Sequence, residues 1–302
     1  MALFKDEQID DIVRKVIEEL QKKSAVGSMK AGFSESHAQE ISRIAREETV
    51  EFSDISEYSL YEKIFIKDPI DEDYLKRLKS LTPARIGLGR SGPRYLTIPW
   101  LRFRADHASA MDAVFSEVSE DFLDKMQLFT VKTVVRDKDE YLTRPDLGRI
   151  LSEEAKEEIR KRCPLKPQVQ VIVVDGLSTK AIEANVPDFL PALMEGLKAY
   201  NMEVGVPFFI KYGRVPVMDA VNEVIQADVV VELIGERPGL VTAKSMSAYL
   251  CWRPKRGTLE SDRNVVSNIH DKGMPPVEAG AHVASLVKKI YDNKGSGINV
   301  SL

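Results

Sequence analysis

Cysteine is scarce in this sequence, which has only Cys163 and Cys251 among its 302 residues. Two thiols so far apart predict reduced core residues and argue against a disulfide framework or a cysteine-rich zinc site. The sequence also lacks an apolar run long enough to cross a bilayer, so we expect no membrane-spanning helix. The first residues, MALFKDEQID, lack the basic start and apolar stretch of a secretory signal, so we expect a cytosolic protein.

Positive charge is not in excess, since 43 Lys and Arg residues face 47 Asp and Glu residues and the net charge is −4. This balance argues against a general nucleic-acid-binding protein, which would show a basic face. The four histidines are scattered without metal-ligand spacing, and no Ser-His-Asp order is legible. With 43% hydrophobic and 30% charged residues, the composition is that of a globular protein, and the length favours two domains.

The first 22 residues predict an amphipathic helix with an apolar stripe at helical spacing. The stripe comprises Ile9, Ile12, Val13, Val16, Ile17 and Leu20. Residues 23–54 contain few large apolar side chains and predict a tether. Such a stripe needs a partner, which could be the helix's own domain or a neighbouring subunit. Because of the tether, we favour a targeting or docking helix.

Residues 55–164 predict a mixed, mostly helical domain. One helix lies in IDEDYLKRLKSLTPA and ends at Pro83. A second lies in WLRFRADHASAMDAVFSEV, with Leu101, Phe103, Ala110, Val114 and Phe115 as candidate core residues. A third lies in LTRPDLGRILSEEAKEEIRKRC, begins at Asp146 or Leu147, and has basic residues near its carboxyl end.

Residues 165–302 predict a doubly wound α/β domain. Its expected strands are VQVIVVDG, EVGVPFFIKYG, ADVVVELIGERPG and SMSAYLCW. Continuously apolar strands that alternate with helices indicate a parallel sheet covered on both faces. Pro207 in the second strand suggests an edge position or a bulge, and Pro187 suggests a break in the helix before it.

Ligands of open parallel sheets bind beyond the carboxyl ends of the strands. Here those ends read DGLS (175–178), YGRV (212–215) and GERPG (235–239), and SDRNVVSNIHDKGMPP is expected to join them. Tyr212 and Arg214 are candidate ligand-facing residues. For Asp175 we favour the role of a helix N-cap over that of a ligand.

The stretch GLGRSGPR has the Gly87-x-Gly89-x-x-Gly92 spacing of a dinucleotide-binding loop. Its context argues against that function, because Pro83 breaks the segment before it and Pro99 argues against a regular helix after it. We instead expect an arginine-rich loop. Its basic side chains could pair with carboxylates of a partner or with a phosphate, or simply be solvated; they are Arg85, Arg90 and Arg94.

The segment NIHDKG nearly matches D-x-H-x-x-G, which supplies a histidine to cobalt in one group of cobalamin proteins. Asn268 stands where that pattern has a carboxylate, and the segment comes near the end of the chain. We therefore expect His270 to form hydrogen bonds beside the strand ends and not to bind a metal.

Taken together, these segments resemble the small (light) subunit of ethanolamine ammonia-lyase. The resemblance is carried by DGLS, FFIKYGRV, GERPGL, SDRNVVSNIHDKGMPPVEA and SGIN, and also by YLTRPDLGR, GRSGPR and LRFRADH. It runs in order from about residue 80 to the carboxyl end. The first 75 residues match only in kind.

The resemblance implies an adenosylcobalamin-dependent lyase that converts ethanolamine to acetaldehyde and ammonia by a radical route. It also implies a large barrel-shaped subunit that holds the substrate and most catalytic side chains, and pairs that assemble into a larger hetero-oligomer. No catalytic or metal-ligating residue is then expected in this chain.

The cobalamin contacts implied by the resemblance fall on Val215, Glu236 and Val265. Val265 departs from the family, which can carry a thiol there. The chemistry is suitable, because a corrin ring needs small apolar residues against its face and acceptors for its edge amides. Glu236 could instead form an ion pair with Arg237 or another nearby arginine.

Some family members work inside bacterial microcompartments, which would give the amino-terminal helix a role in reaching the shell. A non-catalytic, doubly wound regulatory subunit that binds a ligand or a partner is the alternative function. A free-standing nicotinamide oxidoreductase is a third.

Overall fold

The computed structural model describes residues 54–300, so the predicted amino-terminal helix and most of the tether lie outside the described residues. From Ile55 onward the chain forms one compact unit. Among the described helices, none is long and apolar enough to span a membrane.

Helices and strands alternate along most of the described chain. The helices are α1 (Glu72–Ser80), α2 (Thr97–Phe115), α3 (Glu120–Lys125), α4 (Lys138–Thr143), α5 (Glu153–Arg162), α6 (Thr179–Ala199), α7 (Val217–Ile225) and α8 (Pro276–Asn293). The strands are β1 (Arg90–Ser91), β2 (Arg94–Tyr95), β3 (Phe129–Lys132), β4 (Val169–Val174), β5 (Phe208–Lys211), β6 (Val229–Gly235), β7 (Met246–Trp252) and β8 (Arg263–Ile269).

Six strands form a mixed sheet in the order β3-β5-β4-β6-β7-β8. The first four are parallel, and β7 and β8 run antiparallel to their neighbours. The predicted α/β fold is confirmed. The prediction of an entirely parallel sheet is wrong for SMSAYLCW, because no helix separates β6 from β7 and a short connection favours antiparallel pairing.

Two strands of the six-stranded sheet were not predicted. The edge strand β3 lies in the segment expected to be mostly helical, and β8 lies in the segment expected to be a loop. The division of the chain into segments 1–22, 23–54, 55–164 and 165–302 stays a prediction. Because β3 pairs with β5, the third and fourth of these segments share one sheet.

The two faces of the sheet pack against different helices. One face contacts α6 and α8, and the other contacts α5 and α7. Every side chain of β4 and β6 is buried, as expected for strands covered on both sides. Both cysteines are free and buried, as predicted, and burial raises the pKa of each thiol to about 11.

Prolines interrupt the structure less than the sequence suggests. Helix α6 runs unbroken through Pro187. Helix α2 begins at Thr97 with Pro99 in its first turn, where a missing N–H costs little. Pro207 lies just before β5, which pairs on both sides, so the predicted edge position is wrong.

Two helix predictions need correction. Leu101 and Phe115 of α2 are 46% and 52% exposed, so they are not core residues, whereas Ala113 is buried. Helix α5 begins at Glu153, after the N-cap Ser152, and not at position 146 or 147. Residues 147–149 instead form a single 3-10 turn. The carboxyl end of α5 is basic, as predicted.

Strand β6 carries a buried carboxylate under α7. Glu232 is 0% exposed, and neither of its oxygens makes a hydrogen bond of normal geometry within residues 54–300. Burial therefore raises the pKa of Glu232 well above its usual value, although the positive charge of Arg263 opposes this. The guanidinium of Arg263 donates two hydrogen bonds, of 2.8 and 2.9 Å, to Asp219 of α7.

Exchange of Glu232 for Gln should change how stability depends on pH. Folding raises the pKa of this group, so the folded chain retains a proton that the unfolded chain releases, and stability falls as pH rises above the usual Glu range. Gln cannot titrate. The variant should therefore gain unfolding free energy over the parent as pH rises, by at most about 1.4 kcal/mol per pH unit.

Urea unfolding between about pH 5 and pH 8 measures this difference. Glu223→Gln, on the exposed side of α7, is the control and should show no such trend. Parallel pH profiles for Glu232→Gln and the parent would contradict the account.

Candidate functional site

The carboxyl ends of the central parallel strands form one edge of the sheet, which we call the rim. It comprises Asp175–Ser178 after β4, Tyr212–Val215 after β5 and Gly235–Glu236 at the end of β6. The antiparallel register adds the start of β7 and the end of β8, since Gly235 pairs with Met246 and Met246 with Ile269. The predicted convergence of these segments is therefore present.

The rim contains a topological switch point between β4 and β5. The chain leaves β4 for α6 on one face of the sheet and leaves β5 for α7 on the other face. Connections that diverge in this way open a crevice between neighbouring strand ends, where ligands of open α/β sheets bind. Two shallow grooves lie elsewhere, one beside residues 194–204 and one beside Phe129 at the start of β3.

Asp175 joins the two sides of this crevice. Its carboxylate accepts hydrogen bonds of 2.7 Å from the Tyr212 N–H and 3.1 Å from the Gly213 N–H. The predicted N-cap role is wrong, because Ser178 caps α6 by accepting from the Ala181 N–H. Burial raises the pKa of Asp175 to about 6, although these N–H donors oppose the rise.

Two stacked tyrosines fill the crevice. The Tyr141 hydroxyl lies 2.8 Å from the Gly176 carbonyl oxygen and 2.7 Å from that of Gly213. Its ring centroid is 5.6 Å from that of Tyr212, whose hydroxyl donates to Glu117 at 3.0 Å. The Arg214 guanidinium lies 4.0 Å from the Tyr141 centroid. The tyrosines therefore fix the backbone around which the ligand would bind.

Glycine is required where the ends of β4 and β6 touch. Gly176 has a φ of +56°, and a Cβ on it would collide with the Gly235 carbonyl. A Cβ on Gly235 would collide with the backbone of Asp175 and Ser178. The contact includes a 3.0 Å hydrogen bond from the Leu177 N–H to the Gly235 oxygen.

Glu236 binds the ends of β6, β7 and β8 together. Its carboxylate accepts from the Ser245 hydroxyl at 2.7 Å, the Ser247 hydroxyl at 2.6 Å and the Asn268 N–H at 3.0 Å. Burial alone would raise the pKa of Glu236, but these three donors hold it below its usual value. Glu236 is therefore ionised at neutral pH.

The predicted alternative, an ion pair with Arg237 or another arginine, is not found for Glu236 among residues 54–300. A carboxylate has about four acceptor positions, of which the serines and Asn268 fill three. One position on Oε2 stays available to a donor outside the chain.

A bulge in β8 aims the Asn268 N–H at Glu236. The register with β7 shifts between Met246 and Ala248, and Asn268 has a φ of +60°.

His270 follows and is buried. Its Nδ1 accepts from the Lys272 N–H at 3.2 Å and its Nε2 lies 2.9 Å from Asn268 Oδ1, which assigns the proton to Nε2. Both ring nitrogens form hydrogen bonds within the loop after β8, in agreement with the predicted hydrogen-bonding role.

The residues predicted to bind the cofactor lie on one face of the sheet. Val215 lies just before α7, is partly buried and packs against the edge of the core on this face, and Glu236 continues the row of β6 side chains that face α7. Val265 pairs with Tyr249, and Tyr249 pairs with Glu232. The side chain of Val265 is 50% exposed. We call this half-covered surface the shelf, and define it by Glu236, Ser247, Tyr249 and Val265.

The predicted residues are spread over a wide area and do not form a compact pocket. Val215 follows β5 and Glu236 follows β6, and these strands are two strand spacings apart, or roughly 10 Å. Val265 lies level with Glu232, four residues before Glu236, which corresponds to about 13 Å along the strand. A small amine could not bridge such distances, whereas a broad flat ligand could.

Arg85, beside GLGRSGPR, reaches the loop after β6, where its guanidinium donates to the Leu240 carbonyl at 2.5 Å. Residues 90–95 form a two-stranded hairpin with Gly92 at its turn, and within residues 54–300 no strand directly precedes the stretch. The expectation that Pro99 argues against a helix after the stretch is wrong, because α2 begins at Thr97. Arg85 forms a 2.8 Å ion pair with Asp106 of α2. Arg90 donates to the Pro93 carbonyl at 3.2 Å. Arg94 is exposed on β2.

Sequence reasoning missed several side chains of this site. Ser245, Ser247 and Tyr249 alternate in SMSAYLCW, so a period of two could have placed them on one face with Glu236. Tyr141 gave no such signal, since its contacts depend on how α4 packs against two strand ends distant in sequence.

The site is suited to binding and offers little for catalysis. Within residues 54–300, no group of three or more His, Cys, Asp or Glu side chains could hold a metal ion. The shelf presents an exposed valine, a tyrosine ring and one free carboxylate acceptor position. These groups fit a plate with an apolar face and N–H donors along its edge.

Known proteins resemble this chain over most of its length. A sequence model of the ethanolamine ammonia-lyase light chain matches residues 72–301. Relatives named ethanolamine ammonia-lyase small subunit include one from Clostridium perfringens, 54% identical over 82% of this chain and 84% of the relative. One from Fusobacterium nucleatum is 47% identical over 98% of each chain, and one from Listeria monocytogenes is 50% identical over 82% and 84%. The chain belongs to the ethanolamine ammonia-lyase light-chain family.

Proposed function

We propose that this chain supplies the small-subunit part of an adenosylcobalamin site in ethanolamine ammonia-lyase, at the interface with a large subunit that carries most catalytic groups. Family membership makes the chain a subunit of a lyase. The observation that supports the proposal is the ionised Glu236, with one acceptor position unfilled, on the same face of the sheet as the exposed Val265. The complex would convert ethanolamine to acetaldehyde and ammonia.

The residues present fit a cobalamin. Its corrin ring is a broad plate with amide groups on its edge, and the bound cofactor would supply the radical that starts the reaction. Glu236 would accept a hydrogen bond from an edge amide, and its three internal donors keep the carboxylate oriented and charged. Val215 and Val265 would contact the apolar face of the ring.

Val265 replaces the thiol that the family can carry at this position. Its side chain lies on the exposed edge strand β8, level with the Tyr249 ring. An apolar methyl group packs against a ring face about as well as a sulfur atom does, so this replacement is compatible with contact by packing. It could not support a contact that needs a sulfur hydrogen bond.

The open shape of the site suits a two-subunit arrangement. The shelf is half exposed in this chain, and Val265 and Ser267 of its edge strand face solvent. A second polypeptide that covered the shelf would exclude water from the cofactor and complete the site. Assembly into a higher hetero-oligomer follows as part of the same proposal.

Mixing the two subunits tests the proposal. The chain alone with adenosylcobalamin should release no ammonia from ethanolamine, because most catalytic groups are expected on the large subunit. The chain with the large subunit should release ammonia and show the absorption spectrum of a bound cobalamin. Turnover by the isolated chain would contradict this division of labour, and a mixture that binds no cobalamin would favour the regulatory alternative.

Reversing the charge at Glu236 should weaken cofactor retention. Glu236→Lys removes an acceptor whose hydrogen bonds are worth about 1.5–3 kcal/mol when charged, so the Kd of the two-subunit complex should rise roughly 10- to 100-fold. Absorption titration with adenosylcobalamin gives the Kd. Glu195→Lys, on the exposed side of α6, is the matched control and should bind as the parent does.

Since Glu236 also joins three strand ends, the melting temperature of each variant should accompany the titration. A folded Glu236→Lys complex with the parent's Kd would show that this carboxylate is structural only.

We further propose that residues 1–22 direct the enzyme to a bacterial microcompartment in the cytoplasm. This segment lies outside the described residues, and the proposal rests on its apolar stripe and on the tether-like composition after it. Volatile acetaldehyde gives a chemical reason for enclosing the reaction.

Removal of residues 1–22 should release the enzyme from purified microcompartments without loss of ammonia-releasing activity. Exchange of Val13 and Ile17 for Asp should do the same, because it interrupts the apolar stripe, whereas Lys15→Ala should leave encapsulation intact. Fractionation of cells followed by activity assays distinguishes these results. Full encapsulation of the deletion variant would refute the targeting role.

A further inference from the structure

The ammonium of Lys138 lies at the switch point and has no hydrogen-bond or ion-pair partner among residues 54–300. It begins α4, and its ammonium lies 5.3 Å from the Tyr141 centroid and 5.4 Å from that of Tyr212. Within residues 54–300, no carboxylate or carbonyl oxygen is in hydrogen-bond or ion-pair contact with it. The Lys138 side chain is partly buried, so water solvates it incompletely, and this burial lowers the pKa of its ammonium.

The charges around Lys138 leave a positive excess. Asp175 lies nearest on the protein side, but its carboxylate is occupied by the N–H groups of the β5 exit. Glu117 is paired with Lys211 at 2.8 Å. The positive charges of Lys211 and Arg214 further lower the pKa of Lys138. The two carboxylates that act on Lys138, Asp175 and Glu117, therefore both have other donors.

The neighbouring cations differ from Lys138 because each already has an acceptor. Lys132, whose ammonium lies 5.3 Å from the Tyr212 centroid, donates to the Arg136 carbonyl at 2.9 Å. Arg214 donates to the Tyr141 carbonyl at 2.9 Å. An incompletely solvated cation beside other cations is costly unless an anion approaches. The arrangement thus points to an anionic ligand at Lys138.

We propose that Lys138 binds the phosphodiester in the nucleotide tail of cobalamin, with Arg214 adding to the positive field. This inference rests on the proposed cofactor function. The side chains of the corrin ring are neutral amides, so the phosphodiester is the anionic group that the cofactor brings. Lys138 adjoins Arg214, the residue before Val215, so the cation lies beside the area where the ring would bind. An ammonium suits a phosphate oxygen as a point charge.

Corrinoids with and without the phosphate test this assignment. Adenosylcobinamide has the same ring but lacks the nucleotide tail and its phosphodiester. In the two-subunit complex, Lys138→Gln should raise the Kd for adenosylcobalamin roughly 10- to 100-fold, the effect of losing a charge-assisted hydrogen bond. The Kd for adenosylcobinamide should stay unchanged. Absorption titrations measure binding without relying on turnover.

Three controls sharpen the comparison. Lys138→Arg should restore most of the affinity for adenosylcobalamin, because it restores the charge. Lys132→Gln removes the same charge from the same cluster at a cation that already has an acceptor, and should have a much smaller effect. Adenosylcobinamide phosphate should regain sensitivity to Lys138→Gln.

The possible results separate the two proposals. A parent complex that binds neither corrinoid would refute the cofactor function itself. A parent that binds both, with a Lys138→Gln variant that binds both equally well or weakens both equally, would overturn the phosphate site alone. Weaker association of the subunits without cofactor would also overturn it, by assigning Lys138 to an acidic side chain of the large subunit.

Discussion

The structure depends on satisfying the backbone N–H groups that are left without a strand partner where a sheet ends. Two carboxylates do this at the rim. Asp175 accepts from the first residues after β5, and Glu236 accepts from the bulge at the end of β8, from Ser247 of β7 and from Ser245 just before it. These bonds hold the ends of five strands in one surface, so the same side chains that complete the fold also shape the candidate site.

The antiparallel strands explain why the site is open on one side. Helix α7 covers β4 and β6, but Val265 on β8 stays half exposed, beside the partly buried Tyr249. The result is a shelf and not an enclosed cavity. A chain of this shape can contribute one wall of a site for a broad ligand.

Much of the fold was predictable from the sequence, because strands buried on both faces appear as continuous apolar runs. The apolar runs of β4 and β6 gave the α/β class, and their Gly-containing ends gave the rim. The direction of β7 was predicted wrongly, although the short connection after β6, which contains no helix, favours antiparallel pairing. Strand β8 was missed because exposed residues interrupt the apolar pattern that indicates a buried strand; they are Val265, Ser267 and Asn268. The role of Asp175 depends on contacts 37 and 38 residues away, which no spacing rule reveals.

Hydrogen–deuterium exchange of the two-subunit complex, with and without adenosylcobalamin, tests the central claim that these strand ends form one wall of the cofactor site. The account predicts slower exchange on cofactor binding in residues 212–215, 236–247 and 264–270, with little change at the opposite ends of the strands. Slower exchange confined to residues 201–206, at the opposite end of the sheet, or no change anywhere in this chain, would contradict it.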